Sequence, residues 1–584
     1  MKQDVTQRVE ALRHWMRQRG IQAFIVPSTD PHASEYVPQH WTTRQWISGF
    51  TGSAGTAVIT LDQAALWTDS RYYLQAGEQL GGTPFTLMRD GQPDTPSITQ
   101  WLSQVLQAQD VVGFDAAVNT QADGRAWRKE LQRSGIGTQT SSDPAETLWT
   151  DRPPLPHSTI AEHPMQYAGE SVESKLARLR QKMHEEGAEA LLITQLDEIA
   201  WLTNLRGGDV HCTPVFIAYM LVTPTHATLY AASETPRSEA FDVKPYAAIT
   251  TDLQHLTAER IMADPATCNC ALWHAIPEGC TIIETPSPIA RIKAVKNECE
   301  IAGFRQAMLH EGVAMVRLLM WLERNIGREA ITEMSLDAKL TQLRQESDAF
   351  IDLSFDTIAA YGEHAAIVHY EATPETDIAL QPRGFLLLDC GGQYVSGTTD
   401  ITRTIPLGEL TEEERRDYTL VLKGHLRLAM ARFPEGTAGT QLDALARYAM
   451  WQEGINFGHG TGHGVGARLS VHEGPHQIRM QWRPAPLQAG MTVTNEPGIY
   501  RAGRHGIRIE NTMLVVSHCQ TEFGRFLALE PLTLCPIDLR PVIADMLLPD
   551  EKEYLRQYHN NVYATLAPHL NEEERAWMQQ LTTI

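Results

Sequence analysis

Two stretches of the chain repeat the same succession of apolar and polar positions. RVEALRHWMRQRG followed by IQAFIVPSTD, close to the first residue, matches SKLARLRQKMHEEG followed by AEALLITQLD further on. Each begins with a predicted amphipathic helix that ends at a glycine, Gly20 or Gly187, a residue that suits a left-handed helix end. Each then enters an apolar strand that we expect to close on an aspartate, Asp30 or Asp197. The repeat predicts two related α/β domains that arose by duplication.

Two proline-containing stretches divide the chain further. DRPPLPHSTIAEHP (151–164) is typical of a linker, because clustered prolines favour extended, non-helical chain. ETPSPIA (284–290) marks a second break, and a long stretch with apolar residues near helical spacing follows it. These breaks predict three domains, at residues 1–152, 153–290 and 291–584.

Composition narrows the class of protein. The 49 basic and 71 acidic side chains give a net charge of −22, which argues against nucleic acid and anionic membranes as partners. No apolar run approaches the roughly 20 residues of a membrane span, and the first helix has no apolar core segment typical of a signal peptide. Eight scattered cysteines form neither a disulfide framework nor a CxxC metal site. We expect a cytoplasmic protein.

The candidate chemistry begins with LLLDCGGQYVSGTTDITRT, where an apolar strand ends on a carboxylate. Asp389 and Asp400 flank a glycine-containing turn, so a β-hairpin would bring their carboxylates together. Strand alternation places Asp400, Thr402 and Thr404 on one face. The alternative is a turn aspartate and an unrelated surface aspartate. A buried charge needs a cation or a strong donor beside it, which favours a site.

Histidines among glycines form the next candidate. NFGHGTGHGVG carries His459 and His463, and its glycines allow the backbone to approach a ligand closely. A phosphate-binding loop is the competing interpretation, but GxxxxGK[ST] is absent, as is the HExxH of helix-borne zinc sites. VHEGPHQ adds His472 and His476, either of which could be a surface histidine.

Two more carboxylates complete a candidate metal set. VTNEPGIY places Glu496 at the end of a strand-like stretch, and GIRIENTMLVV reads as one alternating strand in which Arg508 and Glu510 share a face. The set contains four carboxylates and one imidazole, listed together as Asp389, Asp400, His463, Glu496 and Glu510. Its charge of about −4 balances two divalent cations, and its oxygen-rich chemistry favours Mn²⁺.

The motif order D-x10-D, GHGTGHGxG, HEGP, EPG and GIRIEN resembles the metallopeptidases of the pita-bread fold, which include methionine aminopeptidase, prolidase and aminopeptidase P. IAWLTNLRGGDV, DTIAAYGEHAAIVHY and SEYVP…FTGSAGTAVIT further resemble the three-domain cytosolic Xaa-Pro aminopeptidases, over nearly the whole chain. The resemblance implies two creatinase-like α/β domains followed by a pita-bread catalytic domain. It also implies a homodimer and peptide substrates with proline in the second position.

The resemblance also assigns roles within the site. It makes the five side chains the ligands of two divalent metals, with Asp400 and Glu510 bridging, and Mn²⁺ favoured over Zn²⁺ or Co²⁺. A hydroxide between the metals would attack the peptide carbonyl. Glu496 would also move the proton, and the other active-site histidines would be His369, His459 and His472. Cys390 departs from the small serine more usual in the family, so it could be a weak extra ligand, an oxidisable thiol or a packing residue.

Two alternatives to the aminopeptidase stay open. An Xaa-Pro dipeptidase (prolidase) shares the metal set but anchors the C-terminal carboxylate of its substrate, usually with a cation. Arg508 is the obvious cation, and we expect it to support a ligand carboxylate instead. A non-catalytic pita-bread module that binds peptides is the alternative from another class.

Overall fold

The structure is a computed structural model that describes residues 2–582. The chain forms two compact units. The first contains residues up to His163 together with Glu170–Ala290, and the second contains Pro164–Gly169 and the chain from Arg291 onward. None of the helices in the described residues combines the length and the apolar composition that a membrane crossing needs.

The first half of the first unit is a six-stranded sheet with helices on it. Its helices are α1 (Lys2–Arg17), α2 (Thr43–Ser48), α3 (Tyr73–Gln79), α4 (Ile98–Val105), α5 (Gln121–Leu131) and α6 (Ala145–Leu148). Its strands are β1 (Ala23–Pro27), β2 (Thr56–Thr60), β3 (Ala64–Thr68), β4 (Phe85–Arg89), β5 (Val111–Asp115) and β6 (Gly137–Ser141), in the order β4-β3-β2-β1-β5-β6. Helix α1 buries Val9, Leu12 and Met16 in the core.

The second half of this unit repeats that plan. Its helices are α8 (Val172–Glu185), α9 (Leu196–Thr203), α10 (Ala248–Gln254) and α11 (Cys270–Ala275), and the preceding short helix α7 (Met165–Ala168) belongs to the second unit. Its strands are β7 (Ala161–Glu162), β8 (Ala190–Ile193), β9 (Leu205–Arg206), β10 (Ala218–Val222), β11 (Ala227–Ala231), β12 (Asp242–Pro245), β13 (Arg260–Ala263) and β14 (Thr281–Glu284). Six of them form a sheet in the order β12-β11-β10-β8-β13-β14.

The two sheets confirm the prediction of two related α/β domains. In both, the first central strand pairs antiparallel with one neighbour and parallel with the other, at the same places in the order. Gly20 and Gly187 both have a positive φ, of 66° and 65°, as expected for left-handed helix ends. The expectation that each strand closes on an aspartate is wrong: Asp30 lies beyond β1, and Asp197 lies inside α9, because the strands end before these residues.

The segment 151–160 has no regular structure, as expected of a proline-rich linker. Helix α12 (Pro288–Ala294) begins inside the predicted second break, 284–290. After it comes α13 (Glu298–Asn325), which begins at a capping box in which Asn297 and Glu300 bond to each other's backbone N–H. Its buried face includes Phe304, Met308 and Leu318.

The second unit carries several small sheets. Its remaining helices are α14 (Glu333–Arg344), α15 (Glu412–Ala429), α16 (Gly439–Trp451), α17 (Pro549–Leu566) and α18 (Glu572–Thr582). Its strands are β15 (Phe350–Leu353), β16 (Ile358–Tyr361), β17 (Phe385–Cys390), β18 (Gly392–Tyr394), β19 (Gly397–Thr398), β20 (Ile401–Pro406), β21 (Arg432–Pro434), β22 (Gly462–Gly464), β23 (Glu473–Ile478), β24 (Thr492–Asn495), β25 (Gly498–Arg501), β26 (His505–Arg508), β27 (Asn511–Thr521) and β28 (Gly524–Pro531).

Three of these sheets position the site. One has the order β16-β17-β20, a second has the order β21-β28-β27-β24, and β22 pairs with β23. Strands β16, β17 and β20 are buried on both faces, which explains why Phe385–Cys390 reads as a continuous apolar run. Apolar side chains of α13, α14 and α15 pack against them.

Candidate metal centre

Asp389 and Asp400 lie at the same end of one antiparallel strand pair. Asp389 is the penultimate residue of β17, and its register partner on β20 is Thr402, two residues after Asp400. The chain between them makes the β18–β19 hairpin of a separate sheet. Both aspartates are buried: the exposed fraction is 8% for Asp389 and 4% for Asp400. The hairpin therefore presents two carboxylates in one place.

His463 contributes the imidazole from β22. Its Nδ1 bonds to the carbonyl of Gly464 at 2.8 Å, which directs Nε2 towards Asp400 Oδ2 at 3.4 Å and Glu496 Oε1 at 3.3 Å. Its backbone N–H donates to Thr494 Oγ1 at 3.0 Å, so β24 holds β22 in place.

Glu496 and Glu510 lie at the same end of the four-stranded sheet, because Asn495 at the end of β24 pairs with Asn511 at the start of β27. Glu496 follows β24, and its carboxylate accepts a hydrogen bond from Thr494 Oγ1 at 3.1 Å. Glu510 accepts one from Thr402 Oγ1 at 2.7 Å. The prediction of one continuous strand through Arg508 and Glu510 is wrong. Arg508 ends β26, and Glu510 lies in the break before β27, where the chain passes from one sheet to another.

The electrostatics of the cluster follow from burial and crowding. Burial, and then the neighbouring carboxylates, raise the pKa of Glu510 well above its usual value. Burial likewise raises the pKa of Asp400 well above its usual value, although His463 opposes the rise. Burial also disfavours charge on Glu496 and His463, but their hydrogen bond overcomes it and moves the two pKa values to about 2 and about 9. The protein by itself compensates too little of this negative charge.

The residues present fit a metal centre. Ligand atoms of Asp400, His463 and Glu510 lie within 4.8 Å of one another. Asp389 Oδ1 is buried without a hydrogen-bond partner among residues 2–582, as expected of an oxygen reserved for a cation. Divalent cations would supply the missing positive charge, and four carboxylates with one imidazole are suitable donors.

Arg508 supports Asp389, as expected from the sequence. Its Nη2 and Nε donate to Asp389 Oδ2 at 2.6 and 3.1 Å. Its Nη1 donates to the hydroxyl of Tyr500 at 2.6 Å, and that hydroxyl lies 2.7 Å from His459 Nε2. Sequence reasoning missed Tyr500, although its place four residues after Glu496 in EPGIY was a usable signal.

The other three active-site histidines, His369, His459 and His472, are all half-buried. The ring of His472 makes an edge contact with that of His463, with centroids 4.4 Å apart. His369 is half-buried, and the carbonyl of the preceding Val368 accepts a hydrogen bond from Arg508 Nη2 at 3.3 Å. Burial lowers the pKa of His459 to about 4, so its ring is neutral.

Burial decides between the interpretations that the sequence left open for His476 and Cys390. The suggestion that His476 could be a surface histidine is wrong: it is fully buried, and its Nε2 lies 2.7 Å from the carbonyl of Thr492. Cys390 is buried in the apolar core with its sulfur 3.8 Å from that of Met315. Burial raises the pKa of Cys390 well above its usual value, which favours packing over thiolate chemistry.

Family comparisons agree along the chain. Metallopeptidase family M24 matches residues 302–517, and the C-terminal region of that family matches 525–584. Creatinase/Prolidase N-terminal domains match residues 8–147 and 151–300. The fold and the site therefore define the class of protein. It is a metallopeptidase in which two creatinase-type domains are followed along the chain by a pita-bread catalytic domain.

Individual relatives narrow the class. A probable Xaa-Pro aminopeptidase P of Laccaria bicolor is 40% identical, over 99% of this chain and 93% of its own. Aminopeptidase P1 of Arabidopsis thaliana is 37% identical over 96% of each chain. An X-prolyl aminopeptidase from Caenorhabditis elegans, described as a cytosolic enzyme with a di-nuclear active site, superposes with a TM-score of 0.95 at 33% identity over 99% of each chain. The chain belongs to the Xaa-Pro aminopeptidase P family, which confirms the predicted resemblance.

A dipeptidase is a more distant match. The Xaa-Pro dipeptidase from Bacillus anthracis superposes with a TM-score of 0.51 at 25% identity, and covers 63% of this chain. The comparisons therefore favour the aminopeptidase over the prolidase.

Proposed function

We propose that this protein is a metallo-aminopeptidase that releases the first residue of peptides with proline in the second position, and that it uses two Mn²⁺ ions. The observation that carries the proposal is the convergence of four carboxylates and one imidazole at one buried place. In our assignment, Asp389, Asp400, His463, Glu496 and Glu510 hold the cations. When bound, such cations polarise a peptide carbonyl and make water nucleophilic at neutral pH.

The protein's own groups would position the substrate and move the proton. Glu496 is the candidate proton carrier, because Thr494 and His463 fix the orientation of its carboxylate. His369 and His472 are the candidate donors to the oxyanion of the tetrahedral intermediate. Each such donor contributes roughly 3–4 kcal/mol to transition-state stabilisation.

His459 is better suited to packing than to donating. Its Nδ1 lies 2.7 Å from the carbonyl of Gly460, and its Nε2 lies 2.7 Å from the Tyr500 hydroxyl. Phe457 lies beside it, with ring centroids 4.8 Å apart. We assign His459 to the surface that faces the proline ring.

The proline of the substrate explains why a specialised enzyme is needed for this peptide bond. An Xaa-Pro bond has no N–H, so an enzyme that binds the scissile amide hydrogen loses a contact, while the ring fixes φ and offers a shape to select. A dipeptidase would also need a cation for the substrate's C-terminal carboxylate. The guanidinium of Arg508 is occupied by Asp389 and Tyr500, which favours the aminopeptidase.

The test is a comparison of peptide substrates after chelation and metal return. We expect activity on Xaa-Pro-Pro peptides to vanish on chelation and to return best with Mn²⁺, compared with Zn²⁺ and Co²⁺. Xaa-Pro dipeptides should be cleaved no faster than longer peptides, and Xaa-Ala-Yaa much more slowly. Cleavage confined to dipeptides would establish a prolidase, and metal-free protein that binds but never cleaves would establish a binding module.

We further propose the domain boundaries 1–152, 153–290 and 291–584, a cytoplasmic location and a homodimer. Support for the dimer comes from an apolar surface on the second unit. Helix α16 and the segment 480–482, joined by the bond from Thr440 Oγ1 to the Gln481 carbonyl, expose large side chains. These are Leu445, Tyr448, Trp451, Met480 and Trp482, with 39%, 63%, 40%, 50% and 66% of the residue exposed. Clustered exposed aromatics of this kind mark association surfaces.

A further inference from the structure

A buried cluster of three charges includes Glu473, which pairs across two strands with the neighbour of His463. Lys293 Nζ is 2.7 Å from Glu473 Oε2, and Lys296 Nζ pairs with Glu473 Oε1. Lys296 Nζ also donates to the carbonyl of Lys293 at 3.1 Å. The three side chains are 3%, 0% and 1% exposed.

Stability alone is a weak explanation for this cluster. Removing charges from water costs several kcal/mol per ion, and replacing a buried ion cluster by apolar side chains is often neutral or stabilising. Two lysines against one glutamate also leave a net charge of +1. Buried ion pairs of this kind can instead hold a segment of backbone in one conformation.

The segment whose conformation Glu473 can fix includes His472, the residue before it. Glu473 opens β23, and its register partner on β22 is Gly464, next to His463. The approach is close, because a Cβ on Gly464 would lie 2.6 Å from the Glu473 carbonyl oxygen. Successive residues of an extended chain project to opposite sides. When the lysines hold Glu473 on one side, His472 is directed to the other, where its ring contacts that of His463.

We propose that Glu473, held by Lys293 and Lys296, is a positioning residue that fixes His472 against the metal centre. Glu473 does not touch the substrate and acts through the adjacent imidazole. The proposal rests on the proposed function, since His472 is the candidate donor to the oxyanion. The nearest analogy is an outer carboxylate that orients a catalytic imidazole, whose loss typically costs about 10–100-fold.

The kinetic test is a double-mutant cycle on an Xaa-Pro-Pro peptide. Glu473→Gln keeps the side-chain volume but removes the charge, and should lower kcat about 10–100-fold with metal content and KM little changed. Added to His472→Ala, it should cost nothing further, because the residue through which it acts is gone. Lys296→Met leaves a neutral Lys293–Glu473 pair and should lose less than Glu473→Gln. Glu185→Gln, which breaks an exposed pair with Lys182, should leave kcat unchanged.

A second measurement does not depend on activity. Diethyl pyrocarbonate modification of His472, mapped by mass spectrometry on chelated and metal-loaded protein, should become several-fold faster in Glu473→Gln and stay unchanged in Glu185→Gln. If the wild-type protein cleaved no Xaa-Pro peptide, the proposed function would fail while this measurement still decided the positioning role.

Two results would overturn the inference. One is an unchanged kcat and an unchanged His472 modification rate in Glu473→Gln. The other is a double variant in which the fold-losses in kcat from Glu473→Gln and His472→Ala multiply, as they would if the two residues acted independently. Should Glu473→Gln not fold, Lys296→Met takes its place, and wild-type values of both quantities in that variant would count equally against the role.

Discussion

At the scale of single residues, the candidate ligands differ in how firmly the protein holds them. Asp389 is held by two bonds from Arg508, and Glu510 by the hydroxyl of Thr402. Asp400 contacts His463 at the longer distance of 3.4 Å. Burial raises the pKa values of the proposed bridging residues, Asp400 and Glu510, well above their usual values. A cation would therefore stabilise their charged forms.

This difference predicts the effect of neutral substitutions at the bridging positions. Asp400→Asn or Glu510→Gln should lose both cations, because each side chain would serve both ions. The measurement is metal content per chain by mass spectrometry after saturation and gel filtration. Glu530→Gln, in an exposed pair with Arg305, is the control and should bind two ions. Normal activity with two ions in either bridging variant would contradict the assignment.

A second prediction separates ligands from helper histidines. His463→Ala should weaken metal binding, whereas His369→Ala and His472→Ala should keep both cations and lose turnover by about 10²–10³-fold, as expected for lost donors to an oxyanion. Metal titration and steady-state kinetics on the same preparations give both quantities. Loss of metal in His369→Ala would instead make that residue a ligand.

At the scale of secondary-structure elements, α17 is attached by a histidine that must stay neutral. His559 Nε2 accepts the backbone N–H of Ile537 at 3.1 Å, which an imidazolium cannot do. Burial, aided by Arg403, lowers the pKa of His559 to about 4. The attachment is therefore sensitive to acid.

The sign of this sensitivity follows from linkage. The pKa in the folded protein lies below the unfolded value of about 6.5, so the stability is fully present above that value and is lost as pH falls towards 4. Between pH 7 and 5, this one group should cost about 2 kcal/mol. His559→Gln, whose oxygen can accept the same bond without titrating, should show a smaller fall in Tm over this range. Equal falls in chelated wild-type and variant protein would refute this.

Elements also show what the sequence could and could not predict. Helix α1, the long helix after residue 290 and the duplicated α/β plan follow from periodicity and glycine ends. The break at Glu510 does not, because alternation reports which face a residue occupies and not where a strand leaves its sheet. Burial of His476 and the pairing of Glu473 depend on residues far away in sequence. The five candidate ligands are proposed from their motifs and from the family resemblance, whereas the way in which they converge depends on how distant strands pair.

At the scale of the whole molecule, the exposed apolar surface on α16 and residues 480–482 should bury itself in a second copy. We expect wild-type protein to run as a dimer in light scattering, and Tyr448→Glu with Trp482→Glu to give the 65.2 kDa monomer. Phe523→Glu is the control, since Phe523 is 82% exposed at the turn between β27 and β28 and should leave the dimer intact. A wild-type monomer at micromolar concentration would contradict the proposal.

The duplicated sheets have a consequence for how the chain reaches its native state. Two sheets with the same strand order and directions offer each central strand two similar sets of partners. During synthesis, β1–β6 are complete before β8 leaves the ribosome, so the first sheet forms without its competitor. When denatured full-length chains refold, both sets are present together, and strands can pair with the wrong half. Sequence divergence between the halves is then what keeps their folding separate.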